Sequence, residues 1–148
     1  MKALLQRVAE AGVSVEGRPV AEIGPGLLVL VGVETGDSDD DADFLARKTA
    51  NLRIFEDGAG KMNLSLLNIG GSALVVSQFT LAADVSRGNR PGFSAAAEPG
   101  TAEKLYGRYC AALETQGVPV ERGVFGAAMA VRLVNEGPVT IMLESRAR

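Results

Sequence analysis

Residues 27–33 (LLVLVGV) form a run of seven without a polar side chain. The run has strand length, with the turn Gly24-Pro25-Gly26 before it and an acidic stretch after it. It reads as a strand buried on both faces, so the fold must cover that strand above and below. The segments ahead of it supply β partners. Residues 3–8 are mostly apolar, Val13-Ser14-Val15 alternates, residues 16–19 make a hairpin turn, and residues 20–23 lead into the tight turn. A chain of 148 residues fits one domain and buries roughly two-thirds of its unfolded surface without a disulfide or metal staple.

Residues 34–43 hold six carboxylates, but not at calcium-loop spacing. Counted from Asp37, the sixth position is Ala42 instead of Gly and the twelfth is Lys48 instead of Glu. Acids here suit the start of a helix, where the macrodipole favours them. The spacing predicts that helix over 38–51, with Ala42, Leu45, Thr49 and Leu52 on one face. A strand at 52–56, a turn at 57–60, an irregular stretch to Gly71 and a strand at 73–79 follow. After a loop at 82–98, Thr101 can cap a second helix that runs to Gln116 and stops at Gly117. Leu105, Tyr109, Ala112 and Leu113 would face inward. Strands at 118–125, 129–134 and 139–144 close the chain. The expected fold is α+β: a single domain over 1–148, with a mainly antiparallel, barrel-like sheet and two helices packed on it.

The chain has no His. That excludes Ser-His-Asp and Cys-His pairs, HExxH zinc sites and an imidazole base. Its single Cys110 falls mid-helix near the apolar face and reads as a structural thiol. No cofactor and no metal is expected. The apolar stretch at the N-terminus is broken by Gln6 and Arg7, too early for a signal peptide, and no window approaches eighteen apolar residues. A reduced, cytoplasmic setting is the expectation. Net charge −3 gives no general pull towards nucleic acid.

Two segments stand apart from ordinary strands and turns. In Ser77-Gln78-Phe79-Thr80-Leu81 an apolar strand ends in three hydrogen-bonding side chains around one aromatic, where polar groups can be held towards a cavity. Ser77 and Thr80 could equally satisfy neighbouring backbone. In Asn135-Glu136-Gly137-Pro138-Val139-Thr140, Pro138 removes a backbone donor and Gly137 frees its carbonyl, although a plain turn would also use this pair.

Taken together, SQFTL at 77–81 and NEGPVT at 135–140 give the chain an end-to-end resemblance to the D-aminoacyl-tRNA deacylase family. LLQRV at 4–8, IGPGLLVLVGV at 23–33, NLRIFED at 51–57, GKMNLSL at 60–66, RPGFSAAA at 90–97 and GVFGAAM at 123–129 agree with it. Gly92 departs from the pattern, since Ser is common before that Phe.

The resemblance implies a homodimer with an active site at each side of the interface, hydrolysing the ester of D-aminoacyl-tRNA. It implies a cis Gly137-Pro138 bond reaching into the partner's pocket, with Arg7 fixing its orientation. There the backbone would reject L-residues by clash, while misacylated glycyl-tRNA would pass. Ser77, Gln78, Phe79 and Thr80 would line the catalytic pocket, Phe125 and Met129 its apolar wall, and Asn135, Val139 and Thr140 would complete it. Thr80 has no His to deprotonate it. The favoured chemistry is therefore an oxyanion site of backbone N–H groups around Phe79 and Thr80, with water activated by the substrate's own 2′-hydroxyl. Arg87 and Arg90 are the expected tRNA contacts. Two alternatives are a broader aminoacyl-ester hydrolase using Thr80 covalently, and an inactive tRNA-binding homologue.

Overall fold

The computed structural model describes residues 1–147. Strand β1 (Lys2–Val15) anchors the sheet. It pairs antiparallel with β2 (Arg18–Ile23) and β3 (Gly26–Gly32), which hold one common register across Gly24-Pro25: Ala11 faces Ile23 and Val8 faces Gly26. The hairpin turn at 16–17 uses positive φ at Glu16 and Gly17. Beyond β3 lie β6 (Ser72–Ser77) and β7 (Val120–Arg122), both added in parallel. The sheet is therefore mixed, with antiparallel pairs in the majority. The opposite edge of β1 carries β8 (Ala130–Glu144), and a small ribbon of β4 (Phe55–Glu56) and β5 (Met62–Leu64) stands apart.

Helices α1 (Asp39–Asn51) and α3 (Pro99–Gln116) cover one face of the sheet, and a single turn, α2 (Leu66–Ile69), follows β5. The run at 27–33 lies where its composition requires. Leu27, Val29 and Val31 join the core under the helices, while Leu28 packs in a second cluster on the other face with Val8, Val13, Leu74 and Val76. The two helices are pinned by a buried relay: the Thr49 hydroxyl donates to Leu45 O (2.7 Å), so Tyr109 donates to Thr49 (2.8 Å). Cys110, on α3, is fully buried, and burial pushes its thiol up to about 11, which suits a structural role.

Several element boundaries differ from the sequence expectation, each for a local reason. The strand expected at 73–79 stops at Ser77 because residues 79–82 turn into a 3₁₀ segment, Phe79–Ala82. The second helix starts at Pro99, since the Glu98 carboxylate, not Thr101, accepts the first N–H groups (Thr101 N at 2.7 Å). The stretch expected to be irregular contains β5 and α2, and the strands expected at 52–56 and 118–125 shrink to β4 and β7. The last two expected strands are one, β8. No helix is long and apolar enough to cross a membrane among the described residues.

Candidate active site

Strand β8 stays antiparallel to β1 along its length with two adjacent irregularities: a one-residue bulge at Ala9, between Val8 facing Asn135 and Glu10 facing Val134, and a larger one beside it. Gln6 faces Thr140 and Val8 faces Asn135, so Arg7 alone opposes the four residues 136–139. Those residues leave the ladder as an excursion carrying Gly137 and Pro138, joined by a cis bond and both exposed. Gly137 has φ +131°, and a Cβ there would stand 2.8 Å from Val139 Cγ2 and 3.0 Å from an Arg7 guanidinium nitrogen, so glycine is required.

A clasp replaces the lost ladder bonds. Arg7, 8% exposed, donates from Nε to Glu136 O (3.0 Å) and from Nη1 to Ile54 O (2.9 Å). The Asn135 amide donates to Arg7 O (2.9 Å) and to Val139 O (3.0 Å), closing the base of the excursion from both sides. Its carbonyl accepts from the Thr140 hydroxyl (3.4 Å), which in turn accepts from Gln6 Nε2 (3.4 Å). Asn135, Val139 and Thr140 thus build the foot of the excursion and, contrary to the sequence expectation, do not line the apolar cavity.

That cavity, about 480 Å³, opens at the end of β6. Ser77, Gln78 and Phe79 form one side, and Phe125 and Met129 form the apolar wall. The sequence reading missed Ala96, Ala97, Ala102 and Ala127, which leave room for a flat or bulky group. The signal for three of them was present as small-residue runs in RPGFSAAA and GVFGAAM. Tyr106 supports the wall from behind, its hydroxyl donating to Val75 O (2.7 Å) and its ring 6.1 Å from Phe125. Phe79, 55% exposed, meets Phe93 edge-on at 5.1 Å and forms the rim.

Thr80, expected to line the pocket, is exposed just beyond Phe79 and is not among the residues lining the cavity. Its oxygen accepts a hydrogen bond from Gln78 Nε2, and among the described residues no basic group accepts its proton. A hydroxyl held this way is a weak nucleophile. Gln78 N donates to Val31 O (2.7 Å) and Leu81 N to Gln78 O (3.2 Å), whereas the N–H groups of Phe79 and Thr80 between them carry no hydrogen bond among the described residues. Arg87 and Arg90 lie exposed on the loop closed by the Asp84–Gly92 bridge, next in the chain to Phe93.

The chain therefore holds the parts in two places: the cavity with its unpaired N–H groups, and the clasped excursion. β8 connects them, because Met129 and Val131 line the cavity where the strand begins. The D-Tyr-tRNA(Tyr) deacylase family model matches residues 4–144. A D-aminoacyl-tRNA deacylase of Cereibacter sphaeroides is 61% identical over 98% of this chain and all of its own. One from Dinoroseobacter shibae is 63% identical, covering 97% of this chain and 99% of its own. Among solved structures, one titled c-Myc DNA Unwinding Element Binding Protein superposes with TM-score 0.93 at 41% identity, covering 97% of this chain and 98% of that one. A probable eukaryotic D-amino acid tRNA deacylase shares the fold, with TM-score 0.83 at 20% identity over 97% and 98% of the two chains. The chain belongs to the D-Tyr-tRNA(Tyr) deacylase family.

Proposed function

We propose that this protein hydrolyses the ester bond of D-aminoacyl-tRNA in the cytoplasm, as a homodimer, and that the Gly137-Pro138 excursion of each subunit completes the cavity of the other. The observation that carries the cross-subunit part is the excursion itself, exposed on its own subunit yet held rigidly by Arg7 and Asn135. Support for the dimer comes from β8, whose outer edge is unpaired among the described residues and whose Val131, Val134 and Met142 are exposed. A strand fifteen residues long with such an edge invites cover by a second copy. Backbone placed against the aminoacyl Cα reads configuration and not side-chain identity. An L-residue would drive its side chain into Gly137-Pro138, a D-residue turns away, and a glycyl group has nothing to exclude, so glycyl-tRNA is also a substrate.

For the chemistry, the free N–H groups of Phe79 and Thr80 suit an oxyanion, and the terminal adenosine fits the alanine-lined cavity beside Phe125 and Met129. Water attacks the ester carbonyl and passes a proton to the ribose 2′-oxygen, while the 2′-hydroxyl gives its own proton to the leaving 3′-oxygen; the carbonyl–3′-oxygen bond breaks, and free D-amino acid and tRNA depart. The Gln78–Thr80 bond supports this route over acyl transfer to Thr80. Two substrates test it: Thr80→Ala is expected to keep D-tyrosyl-tRNA hydrolysis within about tenfold, while a 2′-deoxy substrate is expected to lose it. Loss with Thr80→Ala in a folded protein, or full activity on the 2′-deoxy ester, overturns the mechanism. Arg87 and Arg90, beside the rim, are placed to meet tRNA phosphates.

A further inference from the structure

We infer that the cleft at the C-terminal end of α1, lined by Arg47, Lys48, Asn51 and Arg53, binds the phosphate backbone of the tRNA. This inference rests on the deacylase reading and extends it to a surface away from the cavity. The cleft is open, about 580 Å³, and no acidic side chain lines it.

What marks it is the meeting of three cations in one cleft. Arg108, Arg122, Arg132 and Arg146 each face a carboxylate. Arg47, Lys48 and Arg53 make no ion pair among the described residues; Lys2, Arg18, Lys61, Arg87, Arg90 and Lys104 also make none there. Asp43, one turn before Arg47, is already held by both Nε and a terminal nitrogen of Arg108 (2.9 Å each). Arg53 is fixed by a neutral group: Asn63 takes its Nε through the backbone carbonyl (3.0 Å) and a terminal nitrogen through its side-chain oxygen. Asn63 is itself held by Asp57 (3.1 Å). A guanidinium oriented by an amide keeps its full charge for a ligand and loses little freedom on binding. The dipole at the end of α1 opposes an anion with about half a charge, against three full cations. The cleft also adjoins the proposed selectivity element. Ile54, the residue after Arg53, gives its carbonyl to Arg7, and Arg7 holds Glu136 at the root of the excursion. An RNA whose aminoacyl end rests against Gly137-Pro138 therefore passes this cleft.

The test compares wild type with Arg47→Ala/Lys48→Ala, both exposed positions, on D-tyrosyl-tRNA and on D-tyrosyl-adenosine, which has no phosphate. Binding of uncharged tRNA at stepped KCl runs in parallel. The expected result is a KM for the tRNA ester raised by about tenfold at low salt, with a salt slope shallower by roughly 1.4–1.8, as for two lost phosphate contacts. The uncharged tRNA should show the same change of slope, and the adenosine ester should not respond. An unchanged slope, or equal losses on both esters, overturns the assignment. If wild type hydrolyses neither ester, the deacylase reading fails, and the binding slope still decides the cleft.

Discussion

Removal of the Asn135 amide tests whether the clasp positions the excursion or merely stabilises the strand. In Asn135→Ala two N–H donors disappear, leaving the Arg7 and Val139 carbonyls without them where one β1 residue faces four. Each bond has a net worth of about 1 kcal/mol, so the loss is about 2 kcal/mol, more where the half-buried Arg7 carbonyl finds no water. For a chain of this size that lowers Tm by roughly 4–8 °C, compared at equal protein concentration. Most of the loss should fall on the excursion, since both acceptors bracket it. A 2 kcal/mol release raises the population of misplaced conformers about thirtyfold. The assay is kcat/KM on D- and L-tyrosyl-tRNA, and the expected outcome is a D/L ratio reduced by up to about thirtyfold through a rise in L hydrolysis. Thr140→Val, which removes the 3.4 Å bonds to Asn135 Oδ1 and from Gln6 Nε2 but neither donor of the clasp, should change the ratio little. A lowered Tm with an unchanged D/L ratio would refute a positioning role.

Arg87→Ala/Arg90→Ala should raise KM for aminoacyl-tRNA and flatten its salt dependence with little change in kcat, read from initial rates at stepped KCl. Asp37→Asn should cost about 3–5 kcal/mol by urea unfolding, because the Asp37 carboxylate and the Met1 ammonium form a pair at 2.8 Å with both side chains fully buried. Acid should unfold the protein in a defined sense. The Arg108 guanidinium holds the Asp43 carboxyl below its usual value, the Lys61 amide does the same for Asp57, and the Thr101 hydroxyl for Glu98. Depressed carboxylates contribute above their unfolded values, near pH 4, and the contribution fades as pH falls through the folded ones. Stability measured by denaturant should thus be flat from neutral to about pH 5 and decline below it. A rise on acidification would contradict these contacts.

Periodicity placed both long helices and the central strand because each buries a stripe that its spacing can reveal. Ala42, Leu45 and Thr49 face the core from α1, and Leu105, Tyr109 and Leu113 from α3. The parallel pairing of β3 with β6 was not legible, since a strand buried on both faces reads alike in either direction. β8 was split in two because Gly137-Pro138 looks like a turn. The structure keeps both halves in one strand by moving the pairing into side chains, Asn135 and Arg7, whose roles depend on geometry across more than a hundred residues of chain. The cavity's polar end was readable as SQFT, but its alanine lining showed only as the small-residue runs in RPGFSAAA and GVFGAAM, which do not say what space lies beside them. The basic cleft was missed for a related reason. Arg47, Lys48 and Arg53 resemble solvated surface charges until they are seen to line one cleft that no acidic side chain enters.

A chain without His has few groups that change charge near neutral pH, and the clasp uses none of them. Asn135 donates through an amide, Arg7 through a guanidinium, and the excursion they hold presents only backbone at Gly137. Placement of the proposed selectivity element therefore rests on no imidazole and no carboxylate. A side-chain reader in the same position would face a conflict. It would have to touch the substrate closely enough to sense configuration and yet accept D-residues from small to aromatic, and any side chain added at Gly137 already collides with Val139 and Arg7. Backbone resolves that conflict only if it is stiff, because a clash excludes nothing when the obstacle can move aside. The stiffness here comes from β1, through one carbonyl and one guanidinium of a single residue, Arg7, which links the excursion at Glu136 to Ile54. On the proposed reading, the specificity of the enzyme resides less in the pair that meets the substrate than in the strand that holds the pair still.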